Sequence, residues 1–77
     1  MSKENSDPLP WQHEAANFLK AELARAGIGY DGLGQKLKSI GIEESYKGIA
    51  NKVNRGSFSF AFFLQCMRAI GKHEIHI

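Results

Sequence analysis

No aspartate or glutamate occurs between Ser45 and Lys72, although Lys47, Lys52, Arg55, Arg68 and Lys72 all fall in that span. The first 31 residues carry three basic and five acidic side chains, a net charge of −2, whereas residues 32–72 carry seven basic and two acidic ones, a net charge of +5. A polyanion would meet the second half as a positive patch; the plainer reading is a solvated basic face. Cysteine is nearly absent. Cys66 stands alone, which excludes an internal disulfide and fits a reducing compartment. No apolar run approaches the roughly 18 residues needed to span a bilayer. The N-terminus also lacks the basic-then-apolar order of a signal peptide. These absences predict a soluble, cytoplasmic protein with no membrane partner.

The apparatus of catalysis is missing too. The chain has no nucleophile–base–orienter set and no glycine-rich phosphate loop following a strand. Cys66 lies among apolar residues without the cationic setting that a reactive thiol needs. His73, Glu74 and His76 offer three donor side chains at one terminus, with no second shell to hold them. His13 reads as a solvated helix residue. The sequence therefore predicts no enzyme, no metal, no cofactor and no small-molecule substrate.

What is present is one domain. The 77 residues are 43% apolar and 23% charged, enough for a small core and too apolar for wholesale disorder. Residues 1–8 are polar and without periodicity, so the chain is expected to begin with a flexible arm over 1–9. Pro8 or Pro10 suits the first turn of a helix. From there Trp11, Ala15, Phe18, Leu19, Leu23 and Ala26 repeat with the helical period up to Gly27. After a three-residue link, Leu33, Leu37 and Ile40 mark a shorter second helix. Asp31 lies near its start, Lys36 and Lys38 towards its end, and Gly41 stops it. Gly32 and Gly34 weaken that helix by about 1 kcal/mol each against alanine; Gly34 is expected to admit close approach of the next helix.

The stretch Y-K-G-I-A-N-K-V-N-R-G, from Tyr46 to Gly56, places Tyr46, Ile49 and Val53 on one helical stripe. Lys47, Asn51, Lys52, Asn54 and Arg55 point elsewhere; all are hydrogen-bond donors and none is acidic. Such a helix suits a DNA groove, or equally serves as a small bundle helix with a wet side. Glu43 and Glu44 at its start favour the helix dipole and oppose phosphate.

Ser57 or Ser59 caps a fourth helix reaching Ile70. Between Phe60 and Ile70 only Gln65 and Arg68 are polar. Phe60, Phe63, Met67 and Ile70 form a stripe assigned to the core, with Phe62, Cys66 and Ala69 beside it and Leu64 on the far side. A helix apolar nearly all round must be covered all round, and a second copy of the chain is the expected cover. The tail His73-Glu74-Ile75-His76-Ile77 alternates with period two. This predicts a short strand that pairs with its copy, or a loose tail with two tucked isoleucines. The expected homodimer interface is thus Phe62, Cys66, Leu64, Ile75 and Ile77.

Three motifs together resemble the lambda-repressor/Cro-type helix-turn-helix proteins, also called XRE-like: A-G-I-G-Y-D-G-L-G-Q-K-L (26–37), I-A-N-K-V-N-R-G (49–56) and S-F-A-F-F-L-Q-C-M-R-A-I-G (59–71). The chain is more closely similar to a set of small uncharacterised bacterial proteins with L-K-A-E-L-x-R-x-G followed by N-K-x-x-R-G-x-F, read here at Leu19–Gly27 and Asn51–Phe58. The resemblance to repressors implies an all-α, compact four-helix domain over 10–72 and a tail over 73–77. It also implies a second and third helix forming the DNA-binding unit, with the third in the major groove of double-stranded DNA. Tyr30 stands where such proteins place a glutamine that touches phosphate. Lys47 and Asn51 then face the groove, Lys52 and Arg55 lie nearer the backbone, and Ser45, Asn54 and Lys36 complete the DNA-facing set. Two features depart from the pattern: a link between the second and third helices about one residue too long, and Glu43-Glu44 where the family has Ser or Arg.

The expected function is a small dimeric DNA-binding protein, a transcriptional regulator. The alternative is a protein-interaction module that keeps the fold and has lost DNA binding. Fold alone does not separate the two.

Overall fold

Two serines and a repeated chain reversal delimit the helices. The computed structural model describes residues 9–75 and contains α1 (Leu9–Ala26), α2 (Tyr30–Ser39), α3 (Tyr46–Arg55) and α4 (Phe60–Ala69). The fold is all-α. Residues 1–8 of the arm expected over 1–9 lie outside the described residues, as do His76 and Ile77 of the expected strand; Leu9, the last residue of that expected arm, already belongs to α1. Among the described residues there is no strand: 73–75 is irregular, and Ile75 rests against the core of its own chain.

The Ser45 hydroxyl accepts the Gly48 N–H at 2.9 Å, and the Ser59 hydroxyl accepts the Phe62 N–H at 3.0 Å. Each cap stabilises its helix by about 1 kcal/mol. Of the two serines available to α4, Ser59 is used. Three helices close by one motif, in which an N–H past the helix end reaches back five residues. These bonds run from Ile28 to the Leu23 carbonyl at 3.0 Å, from Ile42 to Leu37 at 2.9 Å and from Lys72 to Met67 at 2.8 Å. Ile28 and Ile42 then pack onto the core. The end of α3 is different. Gly56 is buried at φ 71°, and a Cβ there would lie 1.9 Å from the Gln12 carbonyl oxygen, so α3 ends against the backbone of α1. Gly34 also admits a close approach, its would-be Cβ lying 3.3 Å from the Ile49 side chain.

The core has a simple count. α1, α2 and α3 each insert one i, i+4 pair (Leu19 with Leu23, Leu33 with Leu37, Ile49 with Val53), whereas α4 inserts two, Phe62 with Cys66 and Phe63 with Met67. α1 packs on α3, and α2 packs on both α3 and α4. Both apolar stripes of α4 are thereby consumed within one chain. This corrects the expectation that Phe62 and Cys66 form a seam between copies: they are 5% and 0% exposed within the single chain. Phe60 and Trp11, expected to face inward, are 68% and 64% exposed, and Tyr46 is exposed as well. Each occupies the first turn of its helix. Leu64 is exposed on the outer side of α4.

One carboxylate is buried beneath two exposed cations. Glu22 receives the Arg25 guanidinium at 2.6 Å and faces the Lys72 ammonium at 3.1 Å, which ties α1 to the segment after α4. Arg25 and then Lys72 hold its carboxyl below the usual range against the opposing effect of burial. No helix among the described residues is long and apolar enough to cross a membrane.

Candidate nucleic-acid interface

α3 divides cleanly around its axis. Ile49 and Val53 are fully buried against α1 and α2. At 100° per residue, Lys47, Asn51, Asn54 and Arg55 occupy the opposite arc, and all four are exposed. Among the described residues neither Lys47 nor Arg55 is drawn into an ion pair. The exposed stripe thus presents two cations and two amides with no acid on the helix. Asn54 stands on this stripe beside Lys47 and Asn51.

Lys52 lies off the stripe and is engaged. Its ammonium is bonded to the Glu44 carboxylate and sits 4.9 Å from the centre of the Phe62 ring. Glu44 therefore bends onto a cation of its own chain, while Glu43 stays exposed. The same two charges reach Cys66. Burial first, and Glu44 second, push its thiol up to about 12, with Lys52 opposing.

Ser45 spends its hydroxyl on the helix cap. Tyr30, at the start of α2, is half-buried, and its ring meets that of Tyr46 edge-on at 6.0 Å, fixing the N-termini of α2 and α3 to each other. Burial, with Tyr46 adding to it, raises the Tyr30 hydroxyl above its ordinary value, so it remains a neutral donor. Lys36 is exposed on α2.

A depression of about 260 Å³ adjoins the stripe between the end of α3 and the start of α4, lined by Lys52, Arg55, Ser57, Phe58, Ser59 and Phe62. Ser57 and Ser59, expected from the sequence only as caps, enter the site here. The signal available was their position just after Arg55, at the N-terminus of a helix, where anions are favoured.

Neither a curated protein nor a solved structure matches the chain. Residues 11–75, nearly all of the described structure, match the family described as Domain of unknown function (DUF6471). All of the four helices but the first two residues of α1, the Gly56 contact with α1 and the donor stripe of α3 fall within that match, and the chain belongs to the DUF6471 family.

Proposed function

We propose that α2 and α3 act as a helix-turn-helix unit and that the protein is a cytoplasmic DNA-binding regulator of transcription. The observation that carries this reading is the exposed stripe Lys47, Asn51, Asn54 and Arg55 on a helix without a carboxylate. Amides of this kind pair with adenine edges, and lysine or arginine with guanine, in the major groove. The depression bounded by Arg55, Ser57 and Ser59 suits a backbone phosphate beside that groove. The lambda-repressor/Cro resemblance and the +5 charge of residues 32–72 support the same reading.

A second reading, a protein-interaction module, draws on the Glu44–Lys52 pair, which removes a cation from phosphate contact. Fluorescence-anisotropy titration of the full chain with mixed duplex DNA at two salt concentrations separates them. DNA binding predicts a dissociation constant that rises steeply with salt, by about 0.9 log unit per log unit of salt for each phosphate engaged. Lys47→Ala with Asn51→Ala abolishes it and leaves the melting midpoint unchanged. Absence of binding at low salt up to about 100 µM protein would move the assignment to the interaction module.

A further inference from the structure

The face opposite in character to α3 is built from aromatic rings. Phe63 is the centre of a cluster, with its ring 5.8 Å from Phe18, 6.4 Å from Phe58 and 5.9 Å from Phe60. The cluster opens to solvent between α1 and α4 as a hollow of about 350 Å³, floored by Ala15, Phe18, Phe58 and Phe63 and flanked by Trp11 and Phe60. From Phe60 the apolar surface continues one turn along α4 to Leu64.

We infer that this face binds a second copy of the same chain, with the Trp11 or Phe60 ring of each protomer seated in the hollow of the other. The face carries both exposed rings and a cavity that takes a ring. An apolar cavity of about 150 Å³ already accepts benzene, and this one is more than twice that size. Carrying knob and hole on one patch is the self-complementarity that a two-fold interface demands.

The area is that of a weak, reversible contact. Trp11 at 64% and Phe60 at 68% exposure leave about 300 Å² per chain, about 600 Å² when two faces meet. With Leu64 added, the sum stays below the roughly 1,200 Å² of a stable interface, so the dimer is expected to form towards the upper end of the concentration range. The surface differs from the interface read off the sequence, since Phe62 and Cys66 are spent on the core. It stands independently of DNA binding.

Sedimentation equilibrium of the full chain from about 1 µM to about 1 mM is the test. The mass should move from 8.6 kDa to twice that value. Trp11 is the single tryptophan, so emission should shift to the blue over the same range. Phe60→Asp and Leu64→Lys change exposed positions, so helical circular dichroism should persist while the dissociation constant rises at least about 30-fold. Tyr46→Lys, exposed elsewhere, should leave it unchanged. A mass of 8.6 kDa throughout the range overturns the inference. So does a dimer whose dissociation constant ignores Phe60→Asp.

Discussion

α3 and α4 have ten residues each and begin with the same serine cap, yet they serve opposite ends. α3 buries two side chains and leaves its donors in water; α4 buries four and supplies the centre of the core. Their termini differ in the same sense. α4 closes on itself through the Lys72–Met67 bond, whereas α3 closes on another helix, at Gln12 of α1. A cap fixes where a helix begins, and only the burial pattern decides whether it supports the domain or presents a surface.

The comparison breaks most visibly at the aromatic residues of α4. Phe62→Ala removes a ring from the core and should lower stability by about 3–5 kcal/mol. Phe60→Ala, two residues earlier, should fall within about 0.5 kcal/mol in dilute solution. Urea denaturation of the two variants checks both, and equal losses would mean that α4 is packed in another phase. The helix ends come next. Gly56→Ala meets both a left-handed φ and a carbonyl oxygen that cannot move aside, for a loss of about 3 kcal/mol or more. Gly71→Ala has a similar φ and open space around it, and should lose about 1–2 kcal/mol. Smallest is Glu44→Gln on the proposed DNA face. It frees Lys52, and anisotropy should show binding about three-fold tighter. The salt slope should steepen by about 0.9.

Most of the helix plan was legible because its signals are local. Ser45 and Ser59 sit where caps belong, and Ile49 and Val53 are the only large apolar residues of α3 besides Tyr46, so its phase is unambiguous. α4 has no such contrast. With Phe60, Phe62, Phe63, Leu64, Cys66 and Met67 in one ten-residue helix, periodicity supplies no phase, and only the fold shows that Phe62 and Cys66 face inward as Phe63 and Met67 do. The exposure of Trp11 depends on which side of α1 the rest of the chain packs against, which the helical period alone does not fix. The Gly56–Gln12 contact is more distant still, since the two lie 44 positions apart and nothing near Gly56 refers to α1. On the candidate site, the donor stripe could be read from spacing. The diversion of Lys52 to Glu44 and Phe62 required the fold.

The burial of Cys66 has a consequence for labelling. As the one thiol of the chain, fully covered and raised to about 12, it holds no thiolate at neutral pH and offers no approach to a maleimide. A cysteine introduced at an exposed position, such as Ala61 on the outer side of α4, becomes the sole reactive handle of the native protein. The native thiol then keeps a second use: its modification rate counts the openings of the core, residue by residue silent until α4 itself lets go.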